Sequence, residues 1–124
     1  ADPFLVVAMA AAARELGLPH HVGVTASVDT FYEGQGRVGG ANPRLLPHLT
    51  DVVGVYRQLN VLNFEMEAGT LFTMGGVYGF RAACVCAVIA ARAASEAVDT
   101  GVKHDAVDAA VRVALAAAHT GPPD

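Results

Sequence analysis

His21-Val22-Gly23-Val24-Thr25-Ala26-Ser27, running on into Asp29-Thr30-Phe31-Tyr32-Glu33-Gly34-Gln35-Gly36-Arg37, is the stretch on which the reading of this chain turns. Its first part is apolar and strand-like, with a strand expected from about His21 to Ala26. The second part, followed by Gly39-Gly40-Ala41-Asn42-Pro43, reads as a loop leaving the end of a buried strand. That loop carries an aromatic pair, glycines that admit unusual backbone angles, an amide and a guanidinium. Together these can hold a flat polar ring, with a stacking face, a two-sided amide and a rigid fork of donors. The same residues also read as a Gly-rich surface turn with a solvated Arg.

Working outward, Asp2-Pro3 ahead of Phe4-Leu5-Val6-Val7-Ala8-Met9 and an alanine run predicts a capped helix that ends near Leu16-Gly17. Beyond the loop, a second helix is expected over Pro47–Leu59, with Leu49, Val52, Val53 and Tyr56 at helical spacing. A short strand, Val61–Met66, and a third helix, from Glu67 or Ala68 to Gly79, follow. Arg81–Ala90 reads as an apolar strand buried on both faces. A fourth helix runs over Val102–His119, with Val107, Val111, Val113 and Leu115 inward. Strict alternation of helix and strand predicts an α/β architecture with a mostly parallel sheet. Three expected strands make a thin sheet for so apolar a chain.

The 124 residues suffice for one domain and a sizeable core. Their hydrophobic share is 53% and only 16% are charged, which implies surface buried against an oligomer partner or another part of the fold. No apolar run approaches the ~20 residues of a membrane-spanning helix, and no signal peptide is expected. The net charge of −4, with eight dispersed basic residues, argues against nucleic acid as a partner. Cys84 and Cys86 sit at i, i+2 in the expected strand, about 6.5 Å apart along an extended chain. They read as small buried hydrophobes in a reducing compartment, neither disulfide-bonded nor metal-bound.

Three polar clusters fall just past expected strand ends: Phe31, Gln35 and Arg37; Glu65-Met66-Glu67; and Arg92 after Val88-Ile89-Ala90-Ala91. Ligands of open α/β sheets bind outside the carboxyl ends of the strands, so the three clusters can share one crevice. Each also has a plainer reading. Glu65 and Glu67 suit a strand end and a first helical turn, Met66 a gap in the core, and Arg92 a solvated loop. The five histidines show no metal-ligand spacing.

At these residues the chain resembles the uridine phosphorylases of the nucleoside phosphorylase superfamily. The likeness rests on Val22-Gly-Val-Thr-Ala-Ser-Val-Asp-Thr-Phe-Tyr-Glu-Gly-Gln-Gly-Arg37, on Asn63-Phe-Glu-Met-Glu-Ala68 and on Val88-Ile-Ala-Ala-Arg92, in that order and spacing, from about Ala1 to His119. It implies a three-layer nucleoside-phosphorylase-like fold, a mostly parallel sheet flanked by helices, of which residues 1–124 are the C-terminal portion of a single domain. It further implies reversible phosphorolysis of uridine to uracil and ribose 1-phosphate in the cytoplasm. Inorganic phosphate would be co-substrate, no cofactor or metal would be needed, and the assembly would be a homo-oligomer, a dimer or trimer of dimers. Where purine-specific relatives carry an Asp that protonates the base, Ala90-Ala91-Arg92 stands here, which favours a pyrimidine.

Residue by residue, the resemblance implies that Phe31 packs against uracil and that Gln35 reads the base through its amide. Arg37 would donate to a base carbonyl, supported by Arg92. Met66 would lie under the ribose and Glu67 would accept from its 2′- and 3′-hydroxyls, with Glu65 as a neighbouring acid. Thr25, at the strand end, and Ile89, beside the base, complete the set. The catalytic roles fall to Arg37, Gln35 and Glu67. The phosphate-binding Gly-rich loop and its arginines belong to the family's N-terminal half, which this sequence does not match. A catalytically inactive truncated paralogue that binds a pyrimidine nucleoside or a partner subunit, and a nucleosidase using water, are the alternative readings.

Overall fold

The structure, a computed structural model, describes residues 1–90 and 100–119. Its elements follow the order α1 (Pro3–Glu15), β1 (Val24–Ser27), α2 (Val52–Gln58), β2 (Val61–Glu65), α3 (Ala68–Tyr78) and α4 (Thr100–Ala118), with 3-10 turns at Glu33–Gln35 and Pro47–Leu49. The helices and small parallel sheet are those of an α/β protein. They fall into two compact units, one of Ala1–His21 with Tyr78–Asp124 and one of Val22–Val77.

In the first unit, Asp2 caps α1 by accepting the Leu5 N–H at 2.9 Å, and Pro3 occupies the first turn, where no N–H is required. Gly17, at φ +67°, ends the helix in the left-handed conformation that glycine adopts without a Cβ penalty. Helices α1 and α4 pack through small side chains. Ala12, Ala13 and Val113 form the core, with Met9, Leu16 and Leu18 against them. The expected inward face of α4 is only partly right. Val113 is buried, but Val107, Val111 and Leu115 are exposed. The inward stripe is instead Ala106, Ala109, Ala110, Val113 and Ala117, whose small side chains suit close approach to the alanines of α1.

Arg81–Ala90 does not form the expected buried strand. Among the described residues the sheet has two strands, β1 and β2, and residues 81–90 form no regular element. Apolar, β-branched composition favours extended backbone, but a strand exists only where a ladder partner satisfies its N–H and C=O groups. Here the recorded backbone pairing is at the segment's start, where the Asp2 N–H donates to the Ala82 carbonyl at 2.7 Å. Arg81 adds two bonds to the Asp2 carboxylate, at 2.9 and 3.2 Å. Val88 is exposed, and so is Cys86, while Cys84 is half-buried; the cysteines are not the buried hydrophobes expected. Their sulfurs lie 3.4 Å apart, because the side chains turn toward one another rather than standing off at the backbone spacing.

In the second unit β1 and β2 run parallel, pairing Val24 with Val61, Thr25 with Asn63, Ala26 with Phe64 and Ser27 with Glu65, with an irregularity between Val24 and Thr25. β1 thus begins three residues later than expected and extends through Ser27. The helix expected over Pro47–Leu59 is broken at Thr50–Asp51: Pro47 opens a single 3-10 turn, Asp51 adopts φ −125°, ψ 35°, and only then does α2 begin. Glycine at 54 makes room for this, since a Cβ there would sit 2.4 Å from a carboxylate oxygen of Asp51. α2 packs on β2 through Tyr56 and Phe64, whose ring centres are 5.5 Å apart. A parallel pair sends both following loops from the same edge, so the Phe31–Arg37 loop and the Glu65-Met66-Glu67 turn emerge side by side.

Candidate active site

The loop after β1 is a closely bonded turn. The Thr30 hydroxyl accepts the Gly34 N–H at 2.7 Å, and the Tyr32 carbonyl accepts both the Gln35 N–H at 3.2 Å and the Arg37 N–H at 2.8 Å. Gly36 closes it at φ +64°, and a Cβ at that position would lie 2.7 Å from Val52 Cγ1 of α2. Only glycine meets both conditions, the backbone angle and the close approach. This turn drives Gln35 inward, to 6% exposure, and returns Arg37 toward it.

Arg37 Nε donates to Gln35 Oε1 at 3.3 Å, and the guanidinium carbon lies 4.7 Å from the centre of the Phe31 ring. Phe31 in turn meets Tyr32 edge to face at 5.3 Å. Amide, guanidinium and ring are therefore one assembled group. The bond from Arg37 fixes the amide's orientation, setting its oxygen toward the cation and its NH2 away.

At the end of β2 the carboxylates occupy two different environments. Glu65 Oε2 accepts the N–H of Glu67 at 2.8 Å and of Ala68 at 2.6 Å, and Oε1 accepts from the Ser27 hydroxyl. Ser27 Oγ also accepts the Gly69 N–H at 2.7 Å. Three successive N–H groups at the start of α3 are thereby satisfied by two side chains on neighbouring strand ends. Desolvation pushes the Glu65 carboxyl up, but the Ser27 hydroxyl together with the Ala68 and Glu67 N–H groups outweighs it, holding the group below the ordinary glutamate value. Glu67 is exposed and, among the described residues, accepts only the Met66 N–H, at 3.1 Å, and Met66 is itself exposed at the turn.

Of the residues expected at a site, Arg37 contacts both Gln35 and Phe31, and Glu65, Met66 and Glu67 stand at the adjoining strand end. Thr25 is inside β1 rather than at its end, its hydroxyl 3.4 Å from the Asn63 carbonyl. Ile89 belongs to the other compact unit, and Arg92 lies outside the described residues. Ser27 is the residue that sequence reasoning passed over. Its signal was its place as the last polar residue before the loop, opposite a strand-end acid, visible only once the two strands are paired in register. Among the described residues no group of three His, Cys, Asp or Glu could hold a metal ion, and no helix is long and apolar enough to cross a membrane.

A family model described as "Phosphorylase superfamily" matches residues 1–120. The chain is 45% identical over 119 residues to a uridine phosphorylase of Thermococcus kodakarensis, covering 94% of this chain and 42% of that protein. It is 36% identical over 118 residues to the uridine phosphorylase of Escherichia coli, covering 95% and 47%. A DeoD-type purine nucleoside phosphorylase of Dichelobacter nodosus is 28% identical over 123 residues, covering 96% and 46%. The chain thus spans less than half the length of the curated relatives it matches. With the family model covering nearly every residue and the strand-end groups assembled as described, the chain belongs to the phosphorylase superfamily.

Proposed function

We propose that this chain supplies base and ribose recognition to a uridine phosphorylase, as the C-terminal portion, residues 1–124, of one three-layer phosphorylase domain. The observation that carries the proposal is the Gln35–Arg37–Phe31 group, bonded at 3.3 Å and stacked at 4.7 Å, beside the turn that bears Glu67. Higher identity to uridine phosphorylases than to the purine-specific relative supports a pyrimidine substrate.

In this reading uracil packs against Phe31, and the Gln35 amide pairs with the N3–H and one carbonyl of the base. Arg37 donates to the other carbonyl. Breaking the C1′–N1 bond leaves negative charge on the base and a cation-like sugar. Donors fixed on the base oxygens stabilise that departing anion more than the ground state, which is the condition for catalysis. A planar, permanently charged guanidinium suits the task. Glu67 accepts from the ribose hydroxyls above Met66, so that phosphate can approach the opposite face of the sugar. Glu65 and Thr25 act behind these groups. Phosphate is the co-substrate with no cofactor or metal, the enzyme is cytoplasmic, and it works as a homo-oligomer.

The test is phosphorolysis of uridine by the intact protein that carries this segment, with uracil and ribose 1-phosphate as products. Inosine cleavage without uridine turnover overturns the pyrimidine assignment. Free ribose as product indicates a nucleosidase, and uridine binding without turnover indicates the inactive paralogue.

A further inference from the structure

From the bonds around the end of β1, we infer that Ser27 is a positioning residue for the sugar-holding carboxylate, setting how strongly the site reads the ribose hydroxyls. The inference rests on the reading of Glu67 given above. Among the described residues the Glu67 carboxylate accepts the N–H of the preceding residue, Met66, so its aim follows where the start of α3 is held. That start is held by two side chains. Glu65 takes the N–H groups of Glu67 and Ala68, and Ser27 takes that of Gly69 while donating its own proton to Glu65.

Ser27 therefore links β1 to both the cap and the helix. A hydroxyl is required, because the group must donate on one side and accept on the other at once. The fit is close: a Cβ on Gly69 would come within 2.9 Å of Ser27 Cβ, so the first turn of α3 rests directly on the end of β1. Removing the hydroxyl leaves the Gly69 N–H without this acceptor and one Glu65 oxygen without this donor. The carboxylate is then free to pull the Glu67 backbone to a new position. The Gln35–Arg37 turn is held by bonds to the Thr30 hydroxyl and the Tyr32 carbonyl.

The measurement is kcat/KM for uridine and for 2′-deoxyuridine, in the intact protein carrying this segment, for wild type, Ser27→Ala and Glu67→Gln. Ser27→Ala is expected to lower the uridine value about five- to tenfold and the deoxyuridine value far less, narrowing the preference, while the Kd for uracil stays within about twofold. Unchanged kinetics, or equal losses on both nucleosides, overturn the inference, since a merely structural defect does not discriminate between sugars. Glu67→Gln is the separate control: if it leaves the uridine preference at the wild-type value, the reading of Glu67 falls, whatever Ser27 does. Should Ser27→Ala fail to fold, Glu65→Gln, which keeps the side chain's length but weakens its hold on the two N–H groups, is judged by the same criteria.

Discussion

Arg37 and Gln35 are joined side chain to side chain across a single glycine, Nε to Oε1 at 3.3 Å. A donor fork aimed in advance costs little reorganisation when charge develops on a base. Arg37→Ala is expected to lower kcat/KM for uridine at least about tenfold, the worth of a charge-assisted hydrogen bond of ~1.5–3 kcal/mol. Arg37→Lys should recover little, because an ammonium cannot donate to Gln35 and to the base with a planar fork. Steady-state kinetics in the intact protein check this, and wild-type values for Arg37→Ala contradict a role at the base.

Gly36 sets the geometry of that pair. Alanine there must hold φ +64° and place its Cβ 2.7 Å from Val52 Cγ1. The left-handed backbone costs about 1–2 kcal/mol and overpacking about 1–3 kcal/mol more. Gly36→Ala is therefore expected to lower stability by roughly 2–5 kcal/mol, and to weaken uracil binding because Gln35 and Arg37 lose their common aim. Gly39→Ala is a useful comparison, having a positive φ of 118° but nothing within 4 Å, so its cost is backbone strain alone. Chemical denaturation of the two variants separates the terms.

Much of this was legible in the order of residues. Asp2-Pro3 and Gly17 marked the ends of α1, Gly79 the end of α3, and the glycines after Tyr32 a turn leaving β1, because caps, breakers and turn residues act locally. What stayed hidden depends on partners distant in sequence. Arg81–Ala90 has strand composition, but no sequence states which strand it pairs with, and here it joins neither β1 nor β2. The periodicity of α4 suggested its valines as the inward face, yet contact with Ala12 and Ala13 selects the alanine stripe. Ser27 acquires meaning only through its register with Glu65. Asp51 breaks a helix that Leu49, Val52 and Tyr56 outline by spacing alone.

The bond between Asp2 and Arg81 makes stability pH-dependent in a predictable direction. The Arg81 guanidinium, then the Leu5 N–H, hold the Asp2 carboxyl below its ordinary value. A carboxyl depressed in the folded state binds its proton more readily when unfolded, so it contributes stability above the ordinary aspartate pKa of about 3.9 and loses it as pH falls through the lower folded value. Arg81→Ala should accordingly melt below wild type at pH 7, with the gap closing as pH drops past that window. The pair is surface-exposed, so added salt should shrink the difference at pH 7. A gap in Tm that is constant from pH 7 to pH 2 contradicts the ion pair as its source.

The packing of α4 on α1 gives a contrast within one helix. Val113 is 5% exposed and touches the Ala12–Ala13 core, whereas Val111, two residues earlier, is 50% exposed. Val113→Ala removes two buried methyl groups and leaves a small void, with an expected loss of about 1.5–3 kcal/mol. Val111→Ala removes the same atoms from a face open to solvent, and alanine is the better helix former, so stability should stay within about 0.5 kcal/mol of wild type or rise slightly. Equal losses at both positions would mean that the valine face of α4 is buried in the assembled protein as well as its alanine stripe, with a further polypeptide surface covering it. The comparison therefore reads out which side of the helix carries the packing energy, using substitutions of identical chemistry.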